Sequence, residues 1–430
     1  LLSQTHKQLM DTGGRAMTHK LVMILAVVVL ATGAWATTET VLWNFNPANG
    51  NPGNPFANNL IFDGSNFYGV TWEGGETAGC LNGCGTVFEL SPNSNGGWSE
   101  TLLYSFDPVN GDGSNPLGGL VRDQQGNLYG TTYFGGGSAS CDNGCGTVFE
   151  LTPGSNGWTE AVLYRFTGGA DGNYPYSTLT IDKTGSLYGT TYGAGGTSSL
   201  GTVYQLSLSS TGGWAQTTLH GFAGTSDGSN PLGPVVFDKM GRLYGTTSAG
   251  GTYGYGNVYQ LNPLASGWTL TVLHDFNSTD GAFPAWVGLT IDQGGNLYGT
   301  TENGGPNNTG TVWELLYSAS QNDYSEKVLY NFGPKGDGDG NYPWAGVTMP
   351  GDGILFGTTA QGGPNNWGTI FALAKDNRNK WKEKILYSFT GGEDGGQPSG
   401  DLLKNGSGPL YGIAGGGGAS TAGVVFEIAP

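Results

Sequence analysis

The feature that most constrains this chain is a run that returns seven times: Gly126-Asn-Leu-Tyr-Gly-Thr-Thr132, a glycine-rich loop, then Gly146-Thr-Val-Phe-Glu-Leu151. Its tyrosine, replaced once by phenylalanine, falls at Tyr68, Tyr129, Tyr188, Tyr244, Tyr298, Phe356 and Tyr411, 54 to 61 residues apart. A fixed period of this length marks a repeat architecture, in which single units cannot bury their apolar faces and neighbours must stack. Glycine, at 81 of 430 residues, alternates with aromatic and β-branched runs and lacks the collagen triplet, so the chain reads as turn-rich and all-β.

One unit reads as four strands. Pro116–Asp123 is a first strand opened by proline, Gln124–Asn127 a tight turn, and Leu128–Tyr133 a second strand. The loop from Phe134 to Cys145 leads to a third strand, Gly146–Thr152, and Pro153–Gly157 turns into a fourth, Trp158–Phe166. Seven such antiparallel units predict a seven-bladed β-propeller, whose radial repetition leaves only short edges. Thr37–Phe45 aligns with a fourth strand, whereas the chain ends at Gly423–Pro430 on a third. The N-terminal strand is therefore expected to complete the last blade and close the ring, with Val41 beside Val425, removing an open edge. The blades fall at 55–106, 116–166, 175–222, 231–276, 284–332, 343–390, and 398–430 with 37–45, a single domain over 37–430.

Aromatic residues at one place in every unit read as packing between blades: Phe88, Phe149, Tyr204, Tyr259, Trp313, Phe371 and Phe426 in strand three, and Trp98, Trp158, Trp214, Trp268, Tyr324 and Trp381 opening strand four. The glycine after each strand-two tyrosine, such as Gly130, implies close approach by a ring or backbone.

The repeated GNLYGTT, the following Gly-Gly and GTVFEL resemble the GloVer tandem-repeat family of exported bacterial proteins, across residues 37–430. That resemblance implies a propeller-like repeat and supplies no catalytic residues. Some members end in a sorting anchor; this chain ends at its last strand, which implies a freely secreted or periplasmic member. A looser likeness to NHL-type propellers lies in the hairpin from Pro116 to Tyr129.

Export is expected from the N-terminus too. Residues 17–36 carry a short basic start, the apolar run Leu21–Ala31 and the small-x-small site Ala34-Trp35-Ala36, which read as a signal peptide. Residues 1–16 lack an initiating Met and read as an upstream extension. The apolar run is short for a membrane span, so none is expected after cleavage. Cys80/Cys84 and Cys141/Cys145 occupy the same loop in consecutive blades, each pair straddling one tight turn, and local disulfides are expected.

Formal charge is −17; residues 1–36 contribute +2, leaving −19 on the remainder. Such a surface repels phosphate backbones, so no nucleic-acid partner is expected. Divalent cations and neutral glycans are compatible ligands. Connections from strand four to strand one and from strand two to strand three emerge on one face of a propeller, and their length and variability place a site there.

Two candidate sets lie on that face. Asp112, Asp171, Asp227, Asp280, Asp339 and Asp394 each precede a glycine four residues before a blade's proline; they read as turn formers, or as calcium ligands, most suggestively at Asp337, Asp339 and Asn341. Aromatic residues that vary between blades form the second: Trp72, Tyr133, Tyr176, Tyr192, Trp286, Trp344 and Trp367, with Phe56, Phe134, Tyr174, Tyr253, Tyr255, Phe283 and Tyr342 nearby. Flat rings beside Asn and Asp suit sugars. Glu73, Glu76, Asp142, Glu302 and Asp394 are the carboxylates from which an acid–base pair could be drawn. His220 and His274 replace a strand-four tyrosine and read as packing substitutions. The expectation is a secreted, monomeric, non-catalytic module binding glycans or cell-surface polymers. The alternatives are a carbohydrate-active hydrolase or lyase with paired carboxylates, and a structural envelope protein.

Overall fold

The computed structural model describes residues 37–429, except 57–58, 76–78, 195–199, 211, 285, 287, 352 and 405. The expected signal peptide and upstream extension, and Glu76, lie outside the described residues. The chain is a seven-bladed β-propeller. Blade two shows the plan: Val121–Arg122, Leu128–Thr132, Thr147–Gly154 and Gly157–Arg165 in antiparallel order. In blade six the innermost strand is reduced to one bridge, Thr348 to Phe356, beside three longer strands. Among the described residues no helix is long and apolar enough to cross a membrane.

Closure is by the N-terminal strand. Thr38–Asn44 pairs antiparallel with Val424–Ala429, so both ends of the described chain share one sheet and no blade is left open. The register differs by one residue from the sequence expectation: Trp43 lies opposite Val425 and Val41 opposite Phe426. A bulge at Leu42 separates these two pairs. The same bulge recurs in every outer strand pair, always at leucine: Leu103, Leu163, Leu219, Leu273, Leu329 and Leu386. A bulge adds local twist, and alternation along the strand cannot reveal it.

Seven ring contacts hold blade to blade. The phenylalanine ending strand four meets the strand-three aromatic of the next blade, from Phe45–Phe88 at 5.1 Å through Phe106–Phe149 at 5.0 Å to Phe389–Phe426 at 5.2 Å. Most of these rings are fully buried and edge-on, the arrangement that aromatic quadrupoles favour. Within a blade the strand-three ring lies over the glycine opposite: a Cβ on Gly130 would stand 2.5 Å from the Phe149 ring. The threonines of GTT and GTV pair through their hydroxyls, as Thr132 with Thr147 at 2.8 Å. The motif therefore spells a ring seat and a buried hydroxyl pair.

Strand one departs from expectation. Pro116–Asp123 is not one strand; only Val121–Arg122 joins the ladder, while Gly113–Ser114 pairs separately with Phe134–Gly135. Inner segments crowd at the axis: a Cβ on Gly118 would lie 2.4 Å from the Ser177 carbonyl of blade three, and one on Gly119 2.8 Å from the Asn59 nitrogen of blade one. Segments this close pack against neighbouring blades instead of extending their own sheet.

On the face opposite the long loops, the strand one-to-two aspartates cap their turns and accept a hydrogen bond from the strand-two tyrosine. Tyr129 Oη donates to Asp123 (3.1 Å) and to Glu150 (2.8 Å). Blade six replaces all three members at once, with Phe356, Pro350 and Ala372.

Candidate functional site

The loops of the working face are fixed by one residue per blade. Asn54, Asn115, Tyr174, Asn230, Phe283, Tyr342 and Gln397, each just before the strand-one proline, all have φ between 53° and 57°. Only glycine and, less easily, asparagine visit this left-handed region without strain. The conformation serves both neighbours. The Phe283 N–H donates to Tyr255 O of blade four, and its carbonyl accepts from Glu302 N of blade five. Asn115 and Asn230 add a side-chain bond to the preceding blade, through Trp72 O and Tyr192 O. The two disulfides, Cys80–Cys84 and Cys141–Cys145, stiffen the loops whose Cys84 and Cys145 carbonyls receive Asn115 N and Tyr174 N. Both bonds join the pairs expected from the sequence, and disulfides belong to oxidising, extracytoplasmic compartments.

Over the axis these loops assemble an aromatic mouth. Trp72 lies 6.2 Å from Tyr133, which stacks on Tyr174 at 4.8 Å and meets Tyr176 at 5.7 Å. Tyr176 in turn contacts Trp286 at 4.4 Å, and Phe56 contacts Trp344 at 5.7 Å. A cavity of about 300 Å³ opens between Asn54, Phe56, Trp72, Leu117, Tyr133 and Tyr176. A second hollow of about 480 Å³ adjoins it, shares Trp72 and is rimmed by the exposed side chains of Leu81 and Val109. Burial, then the neighbouring Tyr174 and Tyr192 phenols, push the Tyr133 hydroxyl pKa up.

One carboxylate stands inside this ring of aromatics. Glu302 follows the Thr301 that ends strand two of blade five. Burial raises its pKa above the usual carboxylate range, opposed by the Trp344 and Trp286 indole N–H groups and the Asn303 amide. The Trp344 N–H is buried and makes no hydrogen bond of ordinary length and angle. The mouth thus holds a carboxyl that stays protonated to higher pH than a free glutamate.

Beneath the Tyr176–Trp286 contact a cavity with room for about one water is lined by Asn59, Ser177, Thr178, Pro234 and Asp401, among others. Asp401 accepts from Gly346 N at 2.7 Å and Asn59 Nδ2 at 3.2 Å, and burial raises its pKa. Sequence reasoning overlooked it. The signal was a comparison of equivalent axial positions: Asn59, Gly119, Thr178, Pro234, Gly288 and Gly346 stand where this blade has an aspartate.

Tyr192 stands at the edge of the mouth, exposed beside Tyr133. Trp367 lies instead against the backbone of Gly391, Gly396 and Gly416. Asp339 accepts from Tyr330 Oη (2.8 Å), Gly333 N (2.7 Å) and Gly340 N (2.7 Å); Asp337 accepts from Asp339 N (2.9 Å). Asn341 is buried against the Gly333 and Gly340 carbonyls. All six Asp-Gly aspartates clasp the strand-four tyrosine or its histidine replacement, so Asp227 meets His220 at 3.0 Å as Asp394 meets Tyr387 at 3.0 Å. Asp394 is committed to that clasp, and Glu73 lies in a bridge with Gly53. Asp142 is exposed in the loop closed by Cys141–Cys145. The histidines fill a tyrosine's place, as read from the sequence.

The fold and this mouth define a propeller with a loop-built aromatic opening. The Gloeobacter/Verrucomicrobia repeat profile matches residues 28–192, 79–313 and 287–430, and the chain belongs to that family. No curated protein matches the chain. Among solved structures it is similar to an ancestral GH74 enzyme, at 10% identity and a TM-score of 0.54, covering 91% of this chain and 51% of that one. It is also similar to the periplasmic gluconolactonase of Pseudomonas aeruginosa, at 13% identity and a TM-score of 0.49, covering 84% of this chain and 99% of that one. A polysaccharide lyase of family PL25, an ulvan lyase, matches at 11% identity and a TM-score of 0.49, covering 91% and 95%. These likenesses concern the propeller fold.

Proposed function

We propose that this chain is a secreted or periplasmic monomer that binds a neutral glycan or cell-surface polymer at its channel mouth. The observation that carries the reading is the unbroken aromatic surface from Trp72 through Tyr133 and Tyr176 to Trp286, bordering a cavity of about 300 Å³. Sugar rings present apolar faces to such surfaces, and their hydroxyls need donors and acceptors at the edge. Asn54, which lines the cavity, and Glu302 supply those groups. The chain's negative charge disfavours polyanionic ligands. The test is calorimetric titration with neutral β-glucan and uronate oligosaccharides. Binding of the neutral series, weakened about tenfold (~1.4 kcal/mol) in both Trp286→Ala and Trp344→Ala, is the expected result. Equal affinity in both variants would remove the platform idea, and no binding at all would favour a structural role in the envelope.

A second reading has one observation in its favour. The Glu302 carboxyl, with its pKa raised by burial, has the character of a general acid for glycoside hydrolysis or elimination. Reducing ends released from a polysaccharide, and lost in Glu302→Gln, would support it; binding without product in the parent protein would not.

A further inference from the structure

We propose that His274, Asp280 and Glu326 form a divalent transition-metal site that braces blade four to blade five. His274 lies on the outer strand Gly267–Asp275, Asp280 in the connection that leaves blade four, and Glu326 on the outer strand Asp323–Asn331 of blade five. One ligand atom from each lies within 4.8 Å of the other two, and His274 Nε2 is 3.2 Å from Asp280 Oδ2. Ligands held at ~2.0–2.2 Å by a tetrahedral ion are spaced by roughly 3.4 Å. Closing the 4.8 Å limit to that spacing would complete the set. Glu326 Oε1 is buried without a hydrogen-bond partner, as is Oε1 of its counterparts Glu160 and Glu383, so what distinguishes this seam is the imidazole and second carboxylate beside it.

The other seams provide an internal comparison. Tyr330, Asp339 and Glu383 occupy the equivalent places between blades five and six, and a neutral phenol there donates to the aspartate where an imidazole would ligate. Between blades three and four the histidine clasp is present, His220 with Asp227, but Leu270 stands where Glu326 stands. Imidazole and two carboxylates coincide at the four–five seam. That donor set suits Zn²⁺ better than Ca²⁺ or Mg²⁺, which prefer oxygen ligands alone. A Zn²⁺ ion would neutralise the facing Asp280 and Glu326 carboxylates and tie two blades by coordination.

The test uses the full chain with ZnCl₂, reading bound metal after desalting and the unfolding temperature with and without the ion. One Zn²⁺ per chain and a raised unfolding temperature are expected. His274→Tyr and Glu326→Leu each install the residue found at a sister seam, so the metal-free unfolding temperature should stay near the parent's while zinc affinity falls more than tenfold. His220→Tyr should leave zinc binding unchanged. Absence of stoichiometric zinc, parent-like binding in His274→Tyr, or loss of binding in His220→Tyr would each overturn the assignment.

Discussion

Tyr176 and Trp286 belong to blades three and five, yet their rings meet at 4.4 Å over the axis. The two rings help line the small cavity beside Asp401. Trp286 and Trp344 both stand beside Glu302, so ionisation there should register in their fluorescence. Burial raises the Glu302 pKa above its ordinary 4.5. The proton is therefore retained to higher pH, and the negative charge develops later than on a free glutamate. Tryptophan emission is expected to titrate with a midpoint above 4.5, a transition absent in Glu302→Gln; the same titration in both proteins would count against it.

The left-handed backbone at Phe283 tests whether strain is stored at the mouth. Phe283 has φ 56° and is 37% exposed, its ring edge-on to Tyr255 at 6.3 Å, so only part of its packing opposes a change. Phe283→Asn should stabilise the fold by about 1 kcal/mol, since asparagine tolerates this region. The reverse change, Asn230→Phe, should destabilise by a similar amount and also lose the bond to Tyr192 O. Chemical denaturation of the three proteins decides the sign.

Blade six shows how the Tyr–Asp–Glu group of the opposite face can be dispensed with. Tyr129→Phe alone leaves Asp123 and Glu150 without their shared donor and should cost about 1–2 kcal/mol. Adding Asp123→Pro and Glu150→Ala reproduces the blade-six set Phe356, Pro350 and Ala372 and should return part of that loss. Strict additivity of the three changes would show that the residues do not act together.

Stability should fall from mildly acid to alkaline pH. Burial raises Glu383 from 4.5 to about 8 and Glu39, Glu100, Glu160 and Glu326 to about 7, with Asp339 and Asp394 adding repulsion at Glu383 and Glu39. The folded chain therefore binds more protons than the unfolded chain between 4.5 and 8, and their contribution is complete below 4.5 and lost as pH rises through 7 to 8. Hydrogen bonds lower Asp63, Asp182 and Asp238, outweighing burial, so their contribution is lost only under acid conditions below that window. The unfolding temperature is expected to be higher at about pH 5.5 than at about pH 8.5, and Glu383→Gln to raise it only at the alkaline end. An unchanged profile in Glu383→Gln would remove that residue from the account.

The repeat, the strand order and the closing partner were legible in the sequence because each rests on local periodicity or on equivalence between blades. Tyr129, Phe149 and Trp158 return in the same order in successive units, 54 to 61 residues apart, and a constant order in a closed ring dictates which rings meet. The local disulfides were legible for the same reason, since Cys80 and Cys84 flank one turn. The bulges at Leu42 and its counterparts were not, because an added residue in one strand leaves the apolar pattern intact.

The site divides along the same line. Variation between blades singled out Trp72, Tyr133, Tyr176, Trp286 and Trp344, and the loops that carry them belong to one face of any propeller. Their meeting over the axis, the placing of Glu302 beside two indoles and of Asp401 beneath them, and the separate packing of Trp367 on glycine were decided by tertiary structure. The repeat fixes how each blade is built and joined, whereas loop side chains meet those of non-adjacent blades, and no period in the chain encodes such distances.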